Sequence, residues 1–143
     1  MSKPRNGGQW TDGRFRSFIM STLRSASKRW GPRAAALSAA RLRRGVYECA
    51  VCKREMQATE WKPYKSKAKL GQMKKVKHPQ MDHIEPVIDP AVGFVSWDEV
   101  VARLFVEQDG WQAICYECHE AITAQEREER KRAKSNPTKL QNL

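Results

Sequence analysis

Apolar and polar positions along the chain alternate in ways that predict helices near both ends and short strands between them. Residues 1–12 are polar and Gly-rich, with Gly7 and Gly8, and read as a loosely held lead. From residue 15 to 29 the period is helical. Phe15, Phe18, Ile19 and Leu23 fall on one face, and Arg14, Arg16, Arg24, Lys28 and Arg29 occupy the rest. Gly31-Pro32 breaks that run, and Pro32 suits the first turn of a new helix. A second helix is predicted over residues 33–44, rich in Ala and Leu, ending in Arg41, Arg43 and Arg44. Gly45 would stop it as a left-handed cap.

Residues 46–57 place a Cys49-Ala-Val-Cys52 pair on a turn between short strands. Residues 58–77 show no clear period. They are Lys-rich, carry Trp61, Pro63 and Tyr64 near their start, and read as a flexible basic loop. Residues 81–88 predict a short strand stopped by Pro86 and Pro90. Ser96 to Glu99 has the capping-box pattern, and the helix behind it would run to about Gly110 with Val100, Val101, Leu104 and Phe105 on one face. A second pair, Cys115-Tyr-Glu-Cys118, precedes a helix from about Glu120 into the mixed-charge run 126–134, which reads as a solvated helix end. The tail from Ser135 is predicted to be disordered. No internal repeat is visible.

Length and charge sharpen this picture. With 143 residues the chain fits one domain with an arm or a tail, and buries only a modest core. The net charge is +11, which predicts attraction to a polyanion, nucleic acid first and an anionic membrane second. Residues 1–44 hold eleven Lys or Arg against the single acid Asp12, so this segment reads as a DNA-contacting arm. No apolar run is long enough to span a bilayer, and the first ten residues lack the apolar stretch of a signal peptide. The expected location is therefore the cytoplasm, where paired cysteines read as metal ligands before disulfides.

The chain has four cysteines, all in the two CxxC pairs. Four thiolates suit one tetrahedral Zn²⁺, and a set of four cysteine ligands leaves no open position, so the zinc would be structural. The three histidines are His78, His83 and His119. His83 lies in Asp82-His83-Ile84-Glu85-Pro86, and His119 directly follows the second pair. Each taken alone reads as an ordinary structural histidine.

Taken together in this order, the motifs resemble the HNH endonuclease family in its zinc-stapled form, common among bacteriophages and prophages. That family shows CxxC, then DHIxP, then an Asn before a Leu-Gln-x-Leu-Cys phrase, then CxxCH. Here the first pair is Cys49 and Cys52, the DHIxP phrase is Asp82 to Pro86, and the last phrase runs from Gln112 to His119. Asp89 to Phe94, Trp97-Asp98-Glu99 and the stretch from Arg14 to Pro32 also look like small phage HNH proteins. The resemblance covers most of residues 14–125.

It implies an α+β fold with a small ββα-metal core, stapled by a zinc on Cys49, Cys52, Cys115 and Cys118. His83 would lie on the first strand and His119 would begin the helix. The division would be a basic helical arm at 1–45, a nuclease domain at 46–125 with the 58–77 basic loop inserted, and a charged, partly disordered tail at 126–143. Asp82 and His119 would hold a Mg²⁺ or Mn²⁺ ion, and His83 would be the general base in hydrolysing a DNA phosphodiester to a 5′ phosphate and a 3′ hydroxyl. DNA would be held by Arg14, Arg16, Arg24, Lys28, Arg29, Arg41, Arg43, Arg44, Lys65, Lys67 and Lys69, in the cytoplasm of a bacterial host.

Two departures stand out. Gly110 occupies the seat of the family Asn, which orients the general base, so the chain would be a weak or inactive nuclease unless another residue such as Gln108, Asp109 or Gln112 substitutes. Ile122 replaces a basic residue common after the CxxCH. His78 has no counterpart and reads as exposed loop. Two other functions fit part of the pattern. One is a zinc-bound DNA-binding protein without chemistry. The other is a protein-interaction module presenting Trp97, Phe105 and Trp111 as an exposed patch.

Overall fold

The computed structural model describes residues 4–135. It is a mixed α+β chain of four helices and three small antiparallel sheets. Helix α1 spans Asp12–Ser27, capped by Thr11, whose Oγ1 accepts from the Arg14 N–H at 3.1 Å. Its inward face is the predicted one in part, with Phe15, Ile19 and Leu23 half-buried and Phe18 not. Met20 and Leu23 pack on a core of Val87, Val100 and Leu104, while Phe18 stays 52% exposed. The lead explains the shift. Residues 5–10 close a tight turn, bridged between Arg5 and Trp10, that serves the outer aromatics instead. Trp10 packs on Phe18 at 5.2 Å, and the Arg5 guanidinium lies over Phe15 at 4.1 Å. The predicted loose lead is therefore corrected for residues 4–11. Residues 1–3, and the tail beyond Ser135, lie outside the described residues.

Helix α2, Gly31–Ala40, has Pro32 in its first turn as expected and packs on the last strand. It ends earlier than predicted. Arg41–Arg43 is a strand, β1, paired with β2 (Val46–Glu48), and β3 (Glu55–Gln57) completes the sheet. Helical propensity at Arg41 to Arg44 yields to this cross-strand pairing. Gly45 does adopt φ +74°, but in the β1–β2 turn rather than at a helix end.

The predicted flexible loop is a hairpin. Strands β4 (Thr59–Pro63) and β5 (Met73–Lys77) pair in full register, and a 3-10 turn at Lys67–Lys69 forms the tip. The inward face of β4 is Glu60 and Lys62, so alternation of apolar and polar residues could not reveal it. Arg54 holds this polar face. Its guanidinium reaches Glu60 at 3.1 Å and Glu117 at 3.0 Å, and Lys62 bridges the same two carboxylates.

Strand β6 (Gln80–His83) pairs with β7 (Trp111–Ile114), placing Asp82 opposite Gln112 and His83 opposite Trp111. β6 is shorter than predicted, because beyond Ile84 the chain turns away to bury Val87 and Pro90. Helix α3, Trp97–Leu104, starts as its capping box demands, with Ser96 Oγ accepting from Glu99 N–H at 3.1 Å. It stops at Leu104, well before Gly110. Val100 and Leu104 are buried as expected, whereas Val101 is exposed. Helix α4 begins at Tyr116, not near Glu120, and runs to Ser135 with a solvated far end.

The Glu60 carboxylate carries a testable consequence. Burial would raise its pKa, but Arg54, the Gln57 N–H and Lys62 outweigh that and hold it at about 2, against an ordinary 4.5. His78 also faces it, at 3.5 Å. A pKa depressed in the folded state stabilises the fold above the unfolded value and loses that contribution as pH falls toward the folded one. Glu60→Gln should therefore cost about 1–3 kcal/mol near neutrality. In urea melts of both chains across pH, the gap should stay constant above about pH 4.5 and narrow below it.

Candidate functional site

Two knuckles bring the four cysteines together. The first is the turn after β2, where the Lys53 N–H reaches the Cys49 carbonyl at 3.0 Å and Lys53 takes φ +66°. The second is the first turn of α4. The knuckles are tied to each other by the Ala50 N–H on the Ala113 carbonyl at 2.9 Å. All four Sγ atoms lie within 4.8 Å of one another, and Cys52 and Cys115 are 3.8 Å apart. A tetrahedron with metal–sulfur bonds of about 2.3 Å has edges of about 3.8 Å, so the spacing fits a metal and is far too long for a disulfide. Cys49 Sγ accepts from the Cys52 N–H at 3.5 Å and the Cys115 N–H at 3.3 Å, and Cys115 Sγ accepts from the Cys118 N–H at 3.4 Å. Such donors favour thiolate. At Cys49 burial opposes ionisation, but the N–H groups of Cys52, Cys115 and Val51 prevail and bring the thiol down to about 6. Burial pushes Cys115 up, and burial with the neighbouring sulfurs pushes Cys118 up to about 12. The four cysteines could thus hold a structural metal such as zinc. Ile122 packs against this cluster with Tyr47, which accounts for an apolar residue at that position.

His78 is not an exposed loop residue. Its side chain is fully buried, its Nδ1 lies 3.0 Å from the Gln57 carbonyl, and its Nε2 accepts the Tyr116 N–H at 3.1 Å. The hydrogen-bond roles place the proton on Nδ1, and the ring caps the start of α4.

The second site lies where β6, β7 and α4 meet. His83 Nε2 sits 2.8 Å from the Leu104 carbonyl at the end of α3, and its ring packs, tilted, against Trp111 with centroids 4.0 Å apart. A carbonyl only accepts, so Nε2 carries the proton and Nδ1 of the neutral ring is left as the basic atom. Burial lowers the His83 pKa, the Leu104 bond and Asp82 oppose it, and the charges of Arg24 and Arg33 add to it. Asp82 Oδ2 is buried without a hydrogen-bond partner. Glu126, further along α4, has its pKa raised by burial and by the charge of Asp82, while Arg130 and His119 partly offset this. The charges of Asp82 and His119 are thus both felt at Glu126. Among the described residues, the four cysteines are the only set of three or more potential metal ligands that converge.

None of Gln108, Asp109 and Gln112 hydrogen-bonds His83 among the described residues. Leu104 does, through its backbone, which no side-chain motif could announce. Arg33 was also not singled out by sequence, although it lies over Trp111 at 5.9 Å and acts on His83. Gly110 has its own reason. A Cβ there would meet Val106 Cγ2 at 2.6 Å and Val106 Cβ at 2.8 Å. The seat of the expected Asn is filled by Val106. Trp111 is buried, and Trp97 and Phe105 pack on the α3 core, so these three do not form an exposed patch.

The basic residues divide into two kinds. Arg14, Arg16, Arg24, Lys28 and Arg29 are exposed on or just after α1, and Arg16, Arg24 and Lys28 line a groove with Ser17, Ser21 and Ser25. Arg41, Arg43 and Arg44 lie on or beside β1, where Arg43 forms a bidentate pair with Glu55 at 3.1 and 2.8 Å. Lys65 pairs with Glu120 at 2.7 Å, whereas Lys67 and Lys69 sit at the hairpin tip.

The chain matches no family model, no curated protein and no solved structure. No described helix is long and apolar enough to cross a membrane.

Two outcomes follow from this geometry. Purified chain should carry one metal ion by elemental analysis. Cys49→Ser should lose it and unfold, since a structural zinc site is worth roughly 10–16 kcal/mol. Gly110→Asn should not restore anything. It should lower stability by about 1–3 kcal/mol in urea melts through its clash with Val106, and Gly110→Asn with Val106→Ala should recover much of that loss.

Proposed function

We propose that the chain is an HNH-type, metal-dependent endonuclease that hydrolyses DNA phosphodiester bonds on a zinc-stapled frame. The observation that carries this reading is the buried, unpartnered Oδ2 of Asp82 beside the pinned, neutral ring of His83. An isolated carboxylate oxygen of this kind fits a cation, and a carboxylate with an imidazole suits Mg²⁺ or Mn²⁺. Asp82 and His119 would hold it, and when bound it would supply positive charge to the scissile phosphate and the departing 3′ oxygen.

The chain's own residues do the rest. His83 Nδ1 takes a proton from the attacking water, while Leu104 and Trp111 fix the ring's direction. Holding the base by a backbone carbonyl replaces the family Asn, so Gly110 is compatible with chemistry. Arg24 and Arg33 bring positive charge to the same place, where a phosphodiester would lie. The exposed cations of α1 supply attraction to the rest of the polyanion. The zinc on Cys49, Cys52, Cys115 and Cys118 holds β7 and α4 in place and takes no part in the chemistry.

The decisive experiment uses supercoiled plasmid with Mg²⁺ or Mn²⁺, beside His83→Ala protein of matched zinc content. Nicking should depend on the added ion and fall about 10²–10⁴-fold in the variant. Zinc-loaded protein that shifts DNA in a gel but never nicks it would leave a DNA-binding protein without catalysis.

A further inference from the structure

The β4–β5 hairpin has a face that the nuclease reading does not use. Between Trp61 and Lys77 the sequence contains seven lysines and no acid. The inward side chains are committed to the frame, Glu60 to Arg54 and Lys62 to Glu117. Lys65 pairs with Glu120, and Lys74 donates to the Tyr116 hydroxyl at 2.6 Å. Alternation turns Thr59, Trp61 and Pro63 outward, opposite Lys77, Lys75 and Met73 in register. Trp61 is 62% exposed and Met73 52%. Lys67, Lys69, Lys75 and Lys77 have no carboxylate partner among the described residues. An exposed indole thus lies beside lysines without carboxylate partners, in a segment from Trp61 to Lys77 that holds no acid.

We propose that this outer face binds single-stranded nucleic acid, with Trp61 stacking on one base and Lys75 and Lys77 meeting the adjacent phosphates. Charge complementarity selects a polyanion. The indole selects an unpaired base, because a base within a duplex already has both faces covered, whereas every free base offers a π-face. A protein partner fits less well, since lysines are depleted in the buried centres of such interfaces. The platform is also preorganised. Through Glu60 and Lys62 the hairpin is fixed to Arg54 and Glu117, hence to both cysteine knuckles, so little order must be gained on binding. The inference shares nucleic acid as partner with the proposed function but needs none of its chemistry. It would let the chain hold a displaced or gapped strand beside a duplex.

The test is fluorescence anisotropy of the full chain with labelled oligothymidylate, oligouridylate and a blunt duplex, without added Mg²⁺ or Mn²⁺. Trp61→Ala should weaken single-strand binding about 5- to 150-fold, and Trp61→Phe should recover most of it. Duplex affinity should hold. Lys75→Ala and Lys77→Ala should each reduce the salt slope on the single strand by about 0.7. Loss on either oligonucleotide supports the platform, and comparing the two tells whether the sugar matters. Unchanged single-strand binding in Trp61→Ala, or an equal loss on the duplex, overturns it. Plasmid nicking is read separately, so either proposal can fail without the other.

Discussion

Everything in this fold hangs on four sulfur atoms converging from two places far apart in sequence. The sheets are too small to stand unaided: two of them are two-stranded, and an isolated hairpin is marginal in water. The buried core is correspondingly divided, one cluster around Cys49, Met56, Ile114 and Cys115 and another around Val87, Val100 and Leu104. A metal held by the cysteines would close the long loop between the knuckles and fix the end of β7 and the start of α4 together. β6 takes its register from β7, so the positions of Asp82 and His83 follow from the knuckles rather than from a large core.

The ion pairs extend that frame outward. Arg54 lies just beyond the first knuckle and Glu117 lies inside the second, so their contact ties the knuckles again without metal. Adding Glu60 and Lys62 mounts the hairpin on the same unit. Partly buried and shared among four groups, this network contributes more than a single exposed pair, whose typical value is below about 1 kcal/mol. It also settles which charges stay available. Glu55, Glu60, Glu117 and Glu120 are taken up by Arg43, Arg54, Lys62 and Lys65, while most cations of α1 and of the outer hairpin face stay open to solvent. The net charge of +11 is thus concentrated on particular surfaces.

What could be read from sequence was local. The CxxC spacing, the Ser96 cap, Pro32 at a helix start and the cores of the helices each depend on neighbours within a turn or two. What could not be read depends on distant partners. Arg41–Arg43 has the composition of a helix end, yet β2 takes it as a strand. The hairpin is silent because its inner face is charged, and a charged inner face makes sense only with Arg54 and Glu117 opposite. His78 is polar and reads as surface, but its two ring nitrogens complete backbone groups at the Gln57 carbonyl and the Tyr116 N–H. At the candidate site the sequence shows the candidate side chains and conceals what holds them. The orienting group for His83 is a main-chain oxygen, and the reason for Gly110 is the bulk of Val106.

Those two facts bear on how to weigh a missing motif residue. A glycine at a catalytic seat suggests lost function if the seat is empty. Here Val106 fills the space, and the His83 ring is held by the Leu104 carbonyl instead. The energetics of the neighbouring carboxylates point the same way. Asp82 Oδ2 is buried without a donor, an arrangement that typically costs on the order of 1–3 kcal/mol, and burial with the charge of Asp82 raises the pKa of Glu126. A purely structural site would be expected to relieve such strain with one Arg, Lys or Asn. Local costs of this kind persist where something else compensates them, and a bound cation would do so directly. Under the proposed function, the unpartnered oxygen of Asp82 would be a place for positive charge, and the His83 ring, held by the Leu104 carbonyl, would keep its Nδ1 free beside it.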